Sequence, residues 1–513
     1  MADFVTAADC NGLQWQAVSF PGNHLLVVAG PGTGKTHTLT CRAAYLWPRL
    51  PPDGAMAALT FTHKAAREME GRLSARGILA GGRIFIGTFH QYCWQLLRGH
   101  APQWRTFRIV DEDRARSLAA EIWTNLTGKQ ARERLEHISR WKAVEFADPS
   151  PPGHVRVFNE ALRARGWLDF DDVLAEAYRL LSVDRQARAA VAANLRHVFV
   201  DEYQDINPVQ RAILKILVGA GGGLTAIGDP NQAIYGFRGS DVKFFHSFKD
   251  DFPGALVLTL RENYRSAANL LAASGQMMAS SGDGAVPELT ARIYREGNLV
   301  AHEAPTDRSE AEYVVRSIET MVGGTSMFSL DSGRVDSSRD AEFGFGDIAV
   351  LYRLHSQARV LREALERGGI PCHVVEKIKA EDGGADGHDT VCPQPAAPLE
   401  YSAEKVTLMT IHAAKGLEFP AVFVVGCEDM LLPLRLPGLV SEEEEERRLF
   451  YVAMTRAKTR LFLLRAKKRV LFGRTLRNDV SPFVLDIEAA LIELDRPGRR
   501  PKKRKTEEQL NLF

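Results

Sequence analysis

The feature that most constrains this chain is a short apolar run, Leu25 to Ala29. It ends directly in Gly30-Pro31-Gly32-Thr33-Gly34-Lys35-Thr36, and a helical pattern follows. A strand that delivers a glycine-rich turn to a helix N-terminus commits this part of the chain to an α/β architecture. Glycines let successive backbone N–H groups face one point, and the helix start adds its positive dipole end. A nucleotide phosphate suits that cradle. Gly30, Pro31, Gly32, Thr33 and Gly34 would wrap it, Lys35 would reach the β and γ phosphates, and Thr36 would ligate Mg²⁺. The strict pattern GxxxxGK[ST] asks for glycine at position 29, where this chain has Ala29.

A second apolar run, Val198 to Val200, ends in Asp201-Glu202-Tyr203-Gln204-Asp205. Alone, two acids after a strand are as readily a solvated loop. Paired with a phosphate loop they form the other half of an NTPase, Asp201 holding Mg²⁺ and Glu202 orienting and activating the attacking water. Further β-branched runs at Ala57 to Phe61, Leu224 to Ile227, Ala255 to Leu260, Ile348 to Tyr352, Ala421 to Val425 and Leu461 to Leu464 alternate with helical stretches. That rhythm predicts parallel sheets covered by helices, and so many strands over 513 residues predict two sheets. The segment Pro102 to Arg165, rich in Arg, Glu, Ala and Leu, breaks the rhythm and reads as a helical insertion. Gly323 to Phe345 and Ala380 to Pro398 read as loops.

Composition excludes more than it selects. Apolar residues make up 45% and no run reaches a membrane span, so a soluble protein is expected; no secretory signal is visible at the N-terminus. Net charge is +1, so any nucleic-acid surface must be local. Six scattered cysteines without a CxxC pair fit reduced thiols and argue against a disulfide framework, a zinc site or an iron–sulfur cluster.

Beyond the NTPase pair, eight segments in order resemble the UvrD/Rep/PcrA family of superfamily 1 DNA helicases. Asn11 to Val18 is similar to its Q motif, and the family tolerates Ala29. Phe61-Thr62-His63-Lys64-Ala65-Ala66 is similar to motif Ia, with His63 where Asn is usual, and Gly87-Thr88-Phe89-His90 to the motif after it. Asp201 to Asp205 is similar to motif II, Gly228 to Gly239 to motif III, and Glu262-Asn263-Tyr264-Arg265-Ser266 to motif IV. Thr410 to Phe419 resembles motif V and Glu446 to Ala457 motif VI.

The resemblance implies an ATP-dependent DNA translocase or helicase with two RecA-like parallel-sheet domains and a helical insertion in the first. Gln14 would read adenine, with Tyr264 stacked on the base. Taken alone, a Gln and a Tyr are ordinary surface or core residues. Gln232 is placed at the γ-phosphate, Arg265 and Arg456 resemble two arginine fingers, and Glu418 would contact the ribose or a phosphate-side water. Phe61, Tyr235 and Phe237 are stacking candidates for bases, with Phe89 less so. Arg238, Thr88, His90 and His412 are candidates for DNA phosphates. Family members move 3′ to 5′, and ATP and Mg²⁺ are the implied cofactors.

The expected organisation is a first domain over 1–98 and 170–262, an insertion over 99–169, and a second domain over 263–375 and 403–495. A loop over 376–402 stands where relatives carry the helical 2B subdomain, which that length is too short to hold. No nuclease domain is expected after motif VI. The chain is expected to act as a monomer, cytoplasmic and nucleoid-associated. The last expected unit, 496–513, is a flexible basic tail. It ends in Gln509-Leu510-Asn511-Leu512-Phe513, in which Gln509, Leu510, Leu512 and Phe513 resemble the bacterial sliding-clamp-binding motif.

Overall fold

The computed structural model describes residues 4–148, 150–219, 221–280, 287–323, 342–375, 404–436 and 439–495. Two wholly parallel sheets organise the chain. The first has strands β1 (His24–Ala29), β2 (Ala55–Thr60), β3 (Ile84–Thr88), β4 (Leu195–Val200), β5 (Gly223–Gly228) and β6 (Leu256–Leu260), in the order β3-β2-β4-β5-β1-β6. β1 therefore lies inside the sheet, with Leu25 opposite Thr225 on one side and Leu256 on the other. Strands buried on both faces read as continuous apolar runs, which is why Leu25 to Ala29 stood out.

The second sheet has β7 (Asn298–Ala304), β8 (Ile348–Tyr352), β9 (Cys372–Val374), β10 (Val406–Thr410), β11 (Phe419–Val425), β12 (Ala457–Ala466) and β13 (Glu493–Asp495), in the order β9-β10-β8-β11-β12-β7-β13. All eight expected strands are present. β3, β7, β9, β10 and β13 were not among them. β9 and β13 are three-residue edge pieces, and β7 interrupts its apolar residues with His302 and Glu303.

Each sheet is covered on both faces by apolar side chains. One face of the first sheet packs on α1 (Gly12–Ser19), α2 (Lys35–Leu46) and α3 (His63–Ser74). Arg42 on α2, 1% exposed, ties these layers together. Its guanidinium donates to the Ala17, Val18 and Phe20 carbonyls that end α1 and to Thr225 Oγ1 on β5. The opposite face carries α4 (Phe89–His100), with Phe89 inside the core.

Between β3 and β4 the helices Glu112–Ile122, Gly128–Val144 and Gly153–Ala164 pack around their own core of Leu118, Ile138, Val155, Phe158 and Leu162. The parallel pair Arg108–Ile109 and Trp167–Leu168 closes the base of this unit. The tail with its four clamp-motif residues lies outside the described residues, as do residues 376–403 and most of the loop expected at 323–345. No helix among the described residues is long and apolar enough to cross a membrane.

Candidate functional site

The carboxyl ends of the first sheet face the amino ends of two strands of the second. β1 releases the loop 30–34, β4 releases Asp201 and Glu202, and β5 releases Asp229. Across the gap, Glu418 immediately precedes β11 and Arg456 immediately precedes β12. A crevice at the carboxyl ends of parallel strands is where α/β folds bind ligands.

The phosphate loop turns through Gly32 (φ 69°) and Gly34 (φ 83°), a conformation open to glycine. A Cβ at Gly32 would stand 2.5 Å from Arg265 Cβ, so glycine is also required for close approach. The loop's carbonyls are taken up by protein. Asn263 Nδ2 donates to Pro31 O at 2.6 Å, Tyr264 N to Gly32 O at 2.8 Å, and Gln14 Nε2 to Thr33 O at 3.1 Å. Thr33 Oγ1 and Lys35 Nζ donate to Gly30 O, and Lys35 Nζ also to Ala29 O at 3.2 Å. Thr36 follows Lys35 in the first turn of α2.

Gln14 is 5% exposed and braces the loop as well as its own helix. Its Oε1 accepts from Asn11 N at 3.1 Å. An amide has two N–H groups and two lone pairs, so one of each remains for a base edge. Tyr264 stands beside it, its hydroxyl donating to Glu262 Oε2 at 2.6 Å and accepting from Asn11 Nδ2 at 2.9 Å. The ring is 39% exposed, which suits a stacking wall.

Glu202 adopts φ 51°, ψ 45°, a left-handed conformation costly for a residue with a Cβ and concentrated at functional sites. Its Oε2 accepts from Gln204 Nε2 at 2.5 Å. Burial pushes its carboxyl up, but Lys35, Lys415 and the Gln204 contact outweigh burial and hold it below the usual range. Glu202 is thus kept ionised. Asp201 behaves oppositely: burial and the Glu202 charge push it up to about 7. Asp229, buried beside Lys35, is raised as well and accepts from Gln232 Nε2 at 2.6 Å. Gln204 links the two groups, its Oε1 accepting from Asp229 N at 3.0 Å.

Two arginines of the second lobe complete the cluster. Arg456 is 1% exposed, and its Nη2 donates to Gln232 Oε1 at 3.3 Å. Val452 O, Leu417 O and Thr455 Oγ1 hold the rest of the guanidinium. Burial and the neighbouring Arg265 push it down to about 9, so it stays cationic at neutral pH. Arg265 Nε donates to Glu418 Oε2 at 2.6 Å, while Lys458 Nζ pairs with Glu418 Oε1 at 2.9 Å. Both oxygens of Glu418 thus face cations, and this carboxylate orients Arg265.

A row of rings crosses from lobe to lobe on the other side of this cluster. Phe61 stacks on Tyr235 (centroids 5.3 Å apart, planes 13° apart), Tyr235 meets Phe237 edge-on at 6.0 Å, and Phe237 meets His412 at 6.0 Å. Phe237 is 64% exposed, an unusual place for so large an apolar ring. Thr88 and His90 have other partners. Buried Thr88 caps α4 by accepting from Gln91 N, and His90 stacks on Phe170 at 3.6 Å. The Arg238 side chain lies outside the described residues.

Sequence reasoning passed over three residues that join these parts. Lys415 Nζ donates to Asp205 Oδ2 at 2.5 Å and to Gln232 O at 2.6 Å, and stands 4.9 Å from the Tyr235 ring centroid. Asn263, fully buried, accepts from Arg265 N and Ser266 N, both at 2.8 Å, while holding Pro31. Glu445 Oε1 accepts from Gly236 N at 3.1 Å. The Lys415, Pro31 and Gly236 contacts join segments far apart in the chain, which the linear pattern does not disclose.

The UvrD/REP helicase N-terminal domain matches residues 10–253 of this chain, and the UvrD-like helicase C-terminal domain matches residues 258–380 and 396–468. The chain belongs to the UvrD-like helicases. The two parallel-sheet lobes are accordingly the two RecA-like domains of that family. Similar proteins include the ATP-dependent DNA helicase UvrD1 of Mycobacterium tuberculosis, 26% identical over 96% of this chain and 86% of its own length. The UvrD1 of Mycobacterium leprae is 28% identical over 94% and 86%, and the ATP-dependent DNA helicase PcrA of Staphylococcus epidermidis 26% over 94% and 87%. The Mycobacterium tuberculosis alignment runs over 682 positions, against the 513 residues of this UvrD-like chain, so the matched relative is substantially longer within the shared span.

Proposed function

We propose that this UvrD-like chain hydrolyses ATP between its two RecA-like domains to drive 3′ to 5′ movement along single-stranded DNA, in repair or replication. The observation that carries the reading is a chain of contacts from Glu202 and Gln232 to the ring row. Lys415 touches Asp205, next in sequence to the Gln204 that holds Glu202. The same ammonium touches Gln232, which Arg456 grips, and faces Tyr235. Closing or opening the domain gap therefore moves the γ-phosphate residues and the base-stacking residues together.

In this reading Lys35 and the loop N–H groups bind the phosphates, and Gln14 and Tyr264 hold the adenine. Ionised Glu202 accepts a proton from water, with Gln232, Arg265 and Arg456 placed around the transferred phosphoryl group. Thr36 and Asp201 would hold Mg²⁺, which screens phosphate charge when bound. Asp201 stands buried beside Glu202; burial and that charge raise its carboxyl, and a cation held there would offset the crowding. Phe61, Tyr235, Phe237 and His412 grip bases without reading sequence.

Two finer parts of the reading rest on sequence. The short span between Val375 and Val406 leaves no room for a 2B subdomain, which favours a motor that translocates and strips proteins strongly and unwinds duplex weakly. The tail, acting as a tether for a bacterial sliding clamp, would keep such a motor on DNA. The first test is ATP hydrolysis with and without long single-stranded DNA, beside Glu202→Gln. Strong stimulation that the variant loses supports the motor. Tight ATP-dependent DNA binding with scarcely any turnover would replace it with an ATP-switched binding module.

A further inference from the structure

The scattered cysteines argued against a metal site, but the fold brings two of them together. Cys10 ends the short 3₁₀ turn Ala7–Asp9 and immediately precedes Asn11, the cap of α1. His37 and Cys41 sit one turn apart on α2. The ligating atoms of Cys10, His37 and Cys41 all lie within 4.8 Å of one another, and this is the one such group among the described residues. It is built from two segments that are unrelated in the linear pattern.

From these positions we infer that Cys10, His37 and Cys41 form a binding site for a soft divalent cation, of which Zn²⁺ fits best, with water as the fourth ligand. Zn–S bonds of about 2.3 Å and Zn–N bonds of about 2.0–2.1 Å at tetrahedral angles separate ligand atoms by about 3.6–3.8 Å. Cys41 Sγ is 3.9 Å from His37 Nδ1 and 3.6 Å from Nε2. A backbone carbonyl decides which nitrogen is free to ligate. Nε2–H donates to Asp9 O at 2.8 Å, which leaves Nδ1 with its lone pair for the cation. Arg76 Nη2 donates to Cys41 Sγ at 3.6 Å and favours the thiolate, while its own charge is balanced by Asp9 Oδ1 at 3.4 Å. Binding displaces one proton from each thiol, so two thiolates neutralise the cation. Half-buried Cys10 and His37 leave a path from solvent to the sulfur of buried Cys41.

The placement gives the site a consequence. Cys10 adjoins the turn that carries Asn11 and Gln14, and His37 follows Lys35 and Thr36 within one helical turn. A bound ion would clasp the adenine side of the nucleotide pocket to its phosphate side.

The test uses the full-length chain, stripped with a chelator in a non-thiol reductant and titrated with Co²⁺ and then Zn²⁺. Wild type should take up one equivalent of Co²⁺ with a thiolate-to-cobalt charge-transfer band that Zn²⁺ abolishes, and Zn²⁺ should raise its melting temperature. Cys10→Ser, at a half-buried position, and Cys41→Ser should each lose the one-equivalent band. His37→Gln should weaken Co²⁺ binding about tenfold or more. Cys372→Ser, in the second domain, should bind as wild type does, and circular dichroism checks that each variant is folded. Absence of the band in wild type, its survival in folded Cys10→Ser and Cys41→Ser, or its loss in Cys372→Ser would each overturn the site. So would a Cys10–Cys41 disulfide found in place of metal after mild oxidation-free purification.

Discussion

Asn263 offers the sharpest test of how the two domains share one site. Its amide makes three hydrogen bonds, two of them fully buried: Nδ2 donates to Pro31 O, and Oδ1 accepts from Ser266 N and, half-buried, from Arg265 N. Asn263→Ala removes all three and leaves two backbone donors and one carbonyl unpaired around a fully buried side-chain position. At about 1 kcal/mol net for each bond, rising to about 1–3 kcal/mol where a buried group is orphaned, the loss over three bonds is on the order of 3–9 kcal/mol. Part of that falls on catalysis, because the Arg265 backbone loses its anchor. A displacement of about 1 Å in a positioned group costs about 100-fold in rate.

Asn263→Asp separates the two halves. It keeps both acceptor contacts to Arg265 N and Ser266 N, and sets an oxygen against Pro31 O where the donor stood at 2.6 Å. Steady-state DNA-stimulated ATPase should therefore show kcat down about 100-fold in Asn263→Ala. Asn263→Asp should recover at least about tenfold of that loss and show instead a raised KM for ATP. Thermal unfolding should rank wild type above Asp, and Asp above Ala. A kcat for Asn263→Ala within about threefold of wild type would refute the anchoring argument, as would an Asp variant as slow as Ala.

Other predictions address the ring row and the chain's departures from its relatives. Phe237→Ala should weaken single-stranded DNA binding by about 1–3 kcal/mol, about 5- to 150-fold in the concentration that half-stimulates ATPase, with melting temperature unchanged because the ring is largely exposed. An unaltered half-stimulation would remove Phe237 from the DNA site. On a 3′-tailed duplex, monomers should displace the strand poorly while stripping a bound protein block efficiently. Processive unwinding by monomers would sink the weak-unwinder reading. Deleting Gln509 to Phe513 should abolish binding to a purified bacterial sliding clamp in surface plasmon resonance and leave ATPase intact, and clamp binding that persists would refute the tail motif. Between pH 6 and 8, kcat should show no acid limb from Glu202, because a carboxyl held below its ordinary value is ionised throughout that window.

The nucleotide half of the site was legible because its chemistry is local. A buried strand, a turn through Gly32 and Gly34 and a helix start are consecutive in the chain, and Asp201-Glu202 directly follows another buried strand. Periodicity likewise disclosed most of the apolar strands inside the two sheets, since burial on both faces leaves a continuous run. It missed β3, β9 and β13 at the sheet edges and β7 and β10 beside them, where polar residues intrude, His302 and Glu303 in β7 and Thr407 in β10. The left-handed Glu202, the Lys415 bridge to Asp205 and Gln232, and the double grip of Asn263 on Pro31 and Arg265 had no such signature. The bridge and the grip on Pro31 join residues far apart in the chain, and only packing two sheets end against end brings them within hydrogen-bond reach. The same holds for Glu418, which the motif places at the ribose or a phosphate-side water and which the fold also pairs with Arg265 and Lys458. It holds again for Cys10, His37 and Cys41, where spacing along the chain argued against a site and tertiary proximity assembles one. Sequence by itself determined which backbone turns and acids can meet a phosphate. The tertiary structure decided which cations meet those acids and which rings move with them, because charge and stacking act through space.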